Sequence, residues 1–245
     1  MKAEEPWIRA EFHVHTKFSP DSLLDKYFLL LMCKLRGIRC LAITDHNEIA
    51  GAKAYKKFLR NYQIDVIIGE EIYSQEGEII GLFLTEWIPP GLTASQTIAA
   101  IKRQNAVVYI PHPYDEKRWR TVLKEQVLRK NALVVDLIES HNGRNVEAAF
   151  SARQQEIASS VGKTAIVGSD AHTFLEIGRN YIYVKPFATG QELLRNMQEA
   201  VLVKRPCLRG VHLLTKAVKL YKLLRKGDLH GIYRVVIRKF SKSQS

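Results

Sequence analysis

Short apolar runs alternate with stretches of helical periodicity over most of this chain. Near-continuous apolar runs, which predict strands buried on both faces of a parallel sheet, end near residues 14, 44, 71, 110, 139, 168 and 184. A further strand is predicted at 77–84, around a turn. Helices are predicted at about 23–36, 49–61, 116–129, 146–161 and 190–200; the first of them stops at Gly37, and a capping-box pattern at Thr93 starts another. Repeated strand–helix units predict an α/β protein with a closed or wound sheet.

Histidine and acidic residues follow these apolar runs. His13 and His15 are two residues apart, so in an extended strand both side chains would project from the same face. Residues of the same kinds follow the later runs: Asp45, His46, Glu70, Glu71, His112, His141, Asp170 and His172. In parallel α/β barrels, functional residues collect at the carboxyl ends of the strands. The pattern therefore predicts a metal site at one end of a barrel.

Five motifs occur in a fixed order: His13-x-His15-Thr16, Thr44-Asp45-His46, Gly69-Glu70-Glu71, Pro111-His112-Pro113 and Gly168-Ser169-Asp170-Ala171-His172. Together they resemble the ordered motifs of the polymerase and histidinol phosphatase (PHP) family over residues 8–190. The resemblance implies a distorted (β/α)7 TIM-like barrel and a metal-dependent phosphoesterase. It also implies two or three divalent ions, and imidazole and carboxylate ligands suit manganese, zinc or iron alike.

The resemblance assigns ligands to each ion. The first set is His13, His15, Glu71 and Asp170, the second is Asp21, His46 and His172, and the third shares Glu71 and adds His112 and His141. Asn142 is an alternative to His141. Many relatives carry a histidine where Asp21 stands, and a carboxylate there favours manganese or iron. Strand alternation turns only one of the Glu70–Glu71 pair inward. The family pattern selects Glu71, which leaves Glu70 facing solvent or supporting a ligand.

Several nearby residues are given supporting roles. Asp45 is expected to orient a ligating histidine rather than to bind metal. Arg118, Arg144 and Arg179 are candidates for binding phosphate oxygens, and Lys117 and Arg120 flank the first of them. His212 and His230 are expected not to be ligands.

The predicted reaction is hydrolysis of a phosphate ester by a hydroxide that bridges two metal ions. Asp170, Glu71, His13 and His46 are the expected catalytic residues. The expected substrate is a small phosphomonoester, such as a nucleotide or a sugar phosphate. One alternative is a 5′–3′ exonuclease or other nuclease that acts on RNA or DNA ends. Another is a non-catalytic, metal-stabilised module that recruits to nucleic acid or membrane.

Charge divides the chain into two parts. Residues 204–245 hold 12 basic residues and one acidic residue, whereas residues 1–203 hold 25 and 24. We therefore predict a barrel domain at 1–203 and a basic helical extension at 204–245. The apolar positions of its first helix are Leu213, Leu214, Ala217, Val218, Tyr221 and Leu224, and those after Gly227 are Ile232, Val235, Val236 and Phe240. The basic positions are Lys216, Lys219 and Lys226, then Arg234, Arg238 and Lys242. These helices either pack on the barrel, bind nucleic-acid backbone or adsorb to anionic lipid.

Composition adds an expected location. The hydrophobic fraction of 46% and charged fraction of 25% are typical of a globular protein. Cys33, Cys40 and Cys207 are odd in number and form no CxxC pair, which argues against a disulfide framework. Neither a signal peptide nor a run of about 20 apolar residues is found, so we expect no transmembrane segment and a cytoplasmic protein.

Overall fold

The computed structural model describes residues 7–115, 118 and 121–237. Within them, nine strands form one sheet in the order β7-β6-β5-β4-β3-β2-β1-β8-β9. The strands are β1 Ile8–Val14, β2 Ile38–Ile43, β3 Asp65–Ser74, β4 Gly77–Leu82, β5 Val107–Ile110, β6 Leu137–Asn142, β7 Thr164–Gly168, β8 Tyr181–Val184 and β9 Val201–Val203. The α/β class is therefore confirmed.

Strands β1 to β7 form a nearly closed barrel. Its seam is made by backbone hydrogen bonds between β1 and the residues that follow β7. The amide of Ser169 donates to the Phe12 carbonyl at 2.8 Å, and the amide of His15 donates to the Ala171 carbonyl at 2.8 Å. Strand β8 pairs antiparallel with the first half of β1, and β9 extends the sheet beyond it. The predicted seven-stranded, TIM-like barrel is thus confirmed, with two further strands outside it.

Strand β4 departs from the parallel pattern. It pairs antiparallel with both β3 and β5, while the other neighbours within the barrel, β1 to β3 and β5 to β7, are parallel. The reason is local, because only two residues, Gln75 and Glu76, join β3 to β4, and a parallel connection needs a far longer crossover. The amino end of β4 therefore lies where the other strands have their carboxyl ends.

The helices are α1 Lys26–Arg36, α2 Ala50–Leu59, α3 Ala94–Arg103, α4 Glu125–Asn131, α5 Ala148–Ser160, α6 Gly190–Asn196, α7 Val211–Arg225 and α8 Leu229–Ile237. Two helix ends form as the local sequence predicts. Gly37 caps α1 in the left-handed region with φ 66°. Thr93 forms the predicted capping box with Gln96 at the start of α3.

Some predicted boundaries are wrong. Helix α1 begins at Lys26 rather than near Leu23, because the Asp25 side chain accepts a hydrogen bond from the Tyr27 amide and caps the helix there. Helix α4 begins only at Glu125, and residues 116, 117, 119 and 120 of the predicted helix lie outside the described residues. The three-residue strand β9 was missed, because its exposed Val201 gives no buried-strand pattern.

The interior of the barrel is filled by side chains from all seven strands. These include Phe12, Ala42, Ile67, Ile80, Tyr109, Leu137 and Ile166. Two further apolar clusters lie between the sheet and its helices, one around α1 and α2 and one around α3 and α5. Since apolar side chains fill the barrel core, a functional site is expected at the barrel mouth.

The C-terminal region forms the two helices that the sequence predicts, α7 and α8. Most of the predicted apolar face of α7 does not pack on the barrel: Leu213, Leu214, Tyr221 and Leu224 are 44–72% exposed, and of the predicted apolar positions of this helix only Val218 is half-buried. A different face, described below, contacts the barrel. Arg238, Phe240 and Lys242 lie outside the described residues, and the division at residue 203 stays a prediction. None of the helices in the described part of the chain is long and apolar enough to cross a membrane.

Candidate metal centre

Eight of the nine predicted ligands meet at the mouth of the barrel. They are His13, His15, Asp21, His46, Glu71, His112, Asp170 and His172. They come from the ends of β1, β2, β5 and β7, from within β3, and from the loop between β1 and α1. Side chains far apart in the sequence are brought together because parallel strands end at one edge of the barrel.

Glu71 lies at the centre of this cluster. Its Oε1 atom is 3.2 Å from His13 Nε2 and 3.1 Å from His112 Nε2. Its Oε2 atom is 3.3 Å from His15 Nε2 and 2.9 Å from His46 Nδ1. Burial alone would raise the pKa of Glu71, but the His13 and His46 imidazoles and the hydrogen bond from His112 hold this pKa well below its usual range.

Asp170 and Asp21 lie on either side of the central group. Asp170 Oδ1 is 3.5 Å from His15 Nε2 and 3.7 Å from His13 Nε2. Asp21 Oδ1 is 3.3 Å from His172 Nε2, and its Oδ2 is 3.8 Å from His46 Nε2. Burial opposes ionisation of Asp21, yet the His172 and His46 imidazoles hold its pKa well below the usual value. Asp21 is therefore expected to be an ionised carboxylate beside the His172 and His46 imidazoles.

Three imidazoles are oriented by hydrogen bonds through Nδ1. His13 Nδ1 lies 2.9 Å from Glu139 Oε1, and His172 Nδ1 donates to the Asp170 carbonyl at 2.8 Å. His15 Nδ1 is 3.0 Å from Ser19 Oγ, whose own proton goes to Asp45. In each case Nδ1 faces a group that can accept its proton, so Nε2 points into the cluster and is the atom available to a cation.

Asp45 acts on the loop of His15 rather than directly on His46. Its carboxylate accepts hydrogen bonds from Ser19 Oγ at 2.8 Å and from the amide and hydroxyl of Thr16, both at 2.6 Å. Ser19 Oγ also accepts from the His46 amide at 3.1 Å. The expected orienting role of Asp45 thus passes through Ser19.

The paired histidines of β1 meet by a different route from regular strand alternation. The register between β1 and β2 shifts between Glu11 and Val14, and His13 has φ 66°, in the left-handed region. The two imidazole rings nevertheless lie 5.1 Å apart. His112 and Asp170 also have positive φ, at 29° and 51°. Strained backbone of this kind collects at functional sites, where the surrounding structure holds it.

His141 is not brought into the cluster. Its Nδ1 is 2.8 Å from Ser151 Oγ, and its Nε2 donates to the Arg205 carbonyl at 3.1 Å. The cause is a register shift in β6 between Glu139 and His141, which turns Asn142 inward instead. Asn142 Nδ2 donates to Glu139 Oε2 at 2.8 Å. Of the two alternatives left by the sequence, Asn142 is therefore the residue that faces the cluster.

The structure adds two carboxylates to which the sequence analysis gave no role. Glu78 is the second residue of β4, with its Oε2 atom 3.4 Å from His112 Nε2 and its Oε1 atom 3.9 Å from His46 Nδ1. Burial and the neighbouring Glu71 carboxylate raise the pKa of Glu78 to about 7. Glu139 lies beneath the cluster and accepts hydrogen bonds from Tyr109 and from the His112 amide.

Gly168 leaves the space that Glu139 occupies. A Cβ atom at this position would lie 1.6 Å from Glu139 Oε1. Gly168 was the first residue of the last motif, so its presence was a signal for a close neighbour, although not for which one.

Glu70 is buried rather than facing solvent. Its Oε2 atom accepts the Ile88 amide at 3.1 Å, and burial raises the pKa of Glu70 to about 8. Alternation along β3 therefore separates the pair as expected, with Glu71 in the cluster and Glu70 on the other face.

Of the three predicted phosphate-binding arginines, only Arg118 reaches the cluster. Arg118 Nη2 is 2.6 Å from Asp170 Oδ2, and its Nε is 3.0 Å from Asp115. Arg144 is buried in an ion pair with Glu176 at 2.7 Å, and Arg179 donates to the Pro206 carbonyl. Lys117 and Arg120 lie outside the described residues. His212 and His230 belong to none of the metal-compatible groups found among the described residues.

The arrangement fits divalent cations. Buried atoms that lack any hydrogen-bond partner in the described residues include His13 Nε2, His15 Nε2, His46 Nδ1 and Asp21 Oδ1. Two ligand atoms bound to one ion at about 2.1 Å are separated by roughly 3.0–3.4 Å. The ligand distances around Glu71, 2.9–3.3 Å, lie close to this separation. Four overlapping groups have ligand atoms within 4.8 Å of one another: His15–His46–His172, His13–His15–Glu71, His13–His112–Asp170 and His46–Glu71–Glu78.

Fold and site together define a barrel with a cluster of side chains at its mouth that could hold metal ions, and comparison with known proteins gives the family. The PHP domain family matches residues 11–213, so the chain belongs to this family. Among curated proteins, the uncharacterized protein MJ0417 of Methanocaldococcus jannaschii is 34% identical over 177 residues, which are 71% of this chain and 70% of that protein. The uncharacterized protein MJ1587 of the same organism is 44% identical over 117 residues, 44% of this chain and 68% of that one.

Solved structures share the fold at low identity. A two-domain protein from Bacteroides vulgatus, described as containing a predicted PHP-like metal-dependent phosphoesterase, aligns with TM-score 0.67 and 16% identity. The alignment covers 83% of this chain and 66% of that one, slightly under two thirds. PsfC from Pseudomonas syringae aligns with TM-score 0.61 and 17% identity, over 89% of this chain and 98% of that one.

Proposed function

We propose that this protein is a metal-dependent phosphoesterase that hydrolyses small phosphomonoesters, such as nucleotides or sugar phosphates. The observation that supports the proposal most directly is the group of buried imidazole and carboxylate atoms around Glu71 that have no hydrogen-bond partner. Family membership supports the same reaction class, because the two-domain B. vulgatus protein is described as containing a predicted PHP-like metal-dependent phosphoesterase.

Three cation positions are proposed. The first is held by His13, His15, Glu71 and Asp170, and the second by Asp21, His46 and His172. For the third, Glu71 and His112 are joined by Glu78 instead of His141, since the His141 ring bonds elsewhere. These ligands suit manganese, zinc or iron.

Cations held here would supply an activated water for attack on phosphorus and would neutralise the charge of the phosphate. The side chains of the protein orient the imidazole rings and contact the substrate. Glu139 and Ser19 hold the His13 and His15 rings with Nε2 toward the cluster. Arg118, whose side chain is 21% exposed, lies beside Asp170 at the edge of the cluster. We propose that its guanidinium binds a phosphate oxygen of the substrate.

The adjacent residues Glu70 and Glu71 offer a matched test. The metal-free protein is loaded with Mn²⁺, Zn²⁺ or Fe²⁺ and assayed on a panel of nucleoside monophosphates, sugar phosphates and short oligonucleotides. E71Q should lose metal and all turnover, because it removes the shared ligand. E70Q should keep both, because Glu70 faces away from the cluster and its raised pKa already favours the neutral form. Equal activity of E71Q and the unmodified protein would refute the proposal.

The nuclease and the non-catalytic module remain untested predictions. Cleavage of oligonucleotides without release of phosphate from monoesters would favour the nuclease. Metal binding without turnover on any substrate in the panel would favour the module.

A further inference from the structure

Helix α7 contacts the barrel through a face that contains only one of its predicted apolar positions, Val218. Val211, Thr215, Val218 and Lys222 recur at helical spacing and share one side of the helix. These four residues are buried or half-buried, whereas Leu213 is 72% exposed. The face toward the barrel thus carries a hydroxyl and an ammonium group, and both make specific bonds.

The first of these bonds leads to His172. Arg144 Nη2 donates to Thr215 Oγ1 at 2.5 Å, and Arg144 Nε donates to Glu176 Oε1 at 2.7 Å. The other oxygen of Glu176 accepts from the amides of His172 and Thr173, at 3.1 and 2.9 Å. A chain of hydrogen bonds therefore runs from α7 to the backbone of the His172 loop.

The second leads to the loop that carries Asp21. The Lys222 ammonium donates to the carbonyl of Lys17 at 2.8 Å and to the carbonyl of Ser19 at 2.5 Å. Ser19 lies two residues before Asp21, and its hydroxyl also fixes the His15 ring. Lys222 thus holds the backbone of this loop from outside the cluster.

The two loops meet at one place. Ser22 Oγ donates to the His172 carbonyl at 2.9 Å, and His172 Nε2 lies 3.3 Å from Asp21 Oδ1. Thr215 and Lys222 are seven residues, or about 10 Å, apart along α7. One rigid helix therefore fixes the separation of the two loops that supply Asp21 and His172.

We propose that α7 sets the geometry of the second cation position, with Lys222 and Arg144 as positioning residues for Asp21 and His172. The inference rests on the proposed assignment of those two residues as ligands. It makes the C-terminal region part of the metal centre instead of a separate basic extension. Deletion of residues 205–245 would then lower activity on every substrate. Such a deletion therefore does not distinguish a nuclease from a phosphatase.

The test measures metal binding by the full-length protein. Metal-free K222M is titrated with Mn²⁺ by calorimetry, and its metal content is measured after dialysis. The affinity for one cation should fall by about tenfold or more, and the affinities for the other cations should be unchanged. A tenfold loss is the lower end of what is seen when a residue that supports a metal ligand is removed. K222R should restore binding, because a guanidinium can donate to the same two carbonyls. The matched control K216M changes an exposed lysine on another face of α7 and should bind as the unmodified protein does.

A second single variant and one double variant test whether the loss of metal affinity passes through the two loops. T215V keeps the shape of the side chain but removes the hydroxyl that accepts from Arg144 Nη2. It should therefore weaken binding of the same cation. In a D21N background, K222M should cause no further loss of metal. Unchanged Mn²⁺ binding by both K222M and T215V, or an added loss of metal in the double variant, would overturn the proposal. Because these measurements use binding alone, they are independent of whether the protein hydrolyses a phosphomonoester.

Discussion

Two sides of the barrel mouth differ in the strand directions that bring candidate ligands to it. On the side of β1, β2 and β7, the strands are parallel and His15, His46 and Asp170 follow their carboxyl ends. On the side of β3 and β4, a tight antiparallel turn places the amino end of β4 at the mouth, and Glu78 lies beside Glu71 and His112. A rule that looks only at carboxyl ends finds the first group together with Glu71 and His112, but it misses Glu78.

The largest effect is expected on the parallel side. D170N keeps the size of the side chain but replaces a carboxylate that lies beside His13, His15 and Arg118. We expect turnover to fall more than about a hundredfold, beyond the losses typical of residues that only support ligands. Steady-state kinetics with a responsive phosphomonoester, with circular dichroism as a check on folding, measure this. Turnover within tenfold of the unmodified protein would show that the first position is wrongly assigned.

On the antiparallel side, E78Q should have the next largest effect. It removes a charge from the group with Glu71 and His112, and we expect loss of one bound cation and a decrease in turnover of about tenfold or more. Metal analysis by mass spectrometry after dialysis measures the stoichiometry. If E78Q retains the full metal content, Glu78 is not a ligand and the two sides of the mouth differ more than we propose.

Glu139 contacts residues of both sides, and its replacement should change metal affinity on both. E139Q removes the charge that accepts from His13 Nδ1 and the His112 amide. We expect metal affinity to decrease by about tenfold at the first and third positions, since each depends on one of these residues. Calorimetric titration with Mn²⁺ separates the positions. An effect on the second position alone would contradict this role.

The smallest effect on metal is expected for H141Q. Because His141 bonds to Ser151 and the Arg205 carbonyl, we expect unchanged metal content and a loss of about 1 kcal/mol in the free energy of unfolding. Urea denaturation and metal analysis measure the two quantities. A lost cation with unchanged stability would return His141 to the third position.

Local sequence signals predicted a good part of this structure. Gly37 and Thr93 mark helix ends by short-range chemistry, and each apolar run from β2 to β8 became a strand within a few residues of its expected position. The convergence of eight predicted ligands at the mouth was expected from motif order and from the parallel topology.

The remaining features depend on contacts between distant residues. The shift in β6 that turns Asn142 inward in place of His141 arises from its pairing with β7, which no local pattern records. The barrel-facing side of α7 was missed because Thr215 and Lys222 contribute nothing to a hydrophobic pattern, while the exposed leucines of the same helix dominate it.

The hydrogen bonds that close the barrel have a consequence for how the fold responds to its ions. The amides of His15, Ser169 and Ala171 make the seam between β1 and the end of β7, and these residues are proposed ligands or the immediate neighbours of proposed ligands. Chelation of the ions should therefore speed amide hydrogen exchange first along this seam, while β2 to β6 stay protected. Opening of the cylinder and emptying of its mouth would be one event.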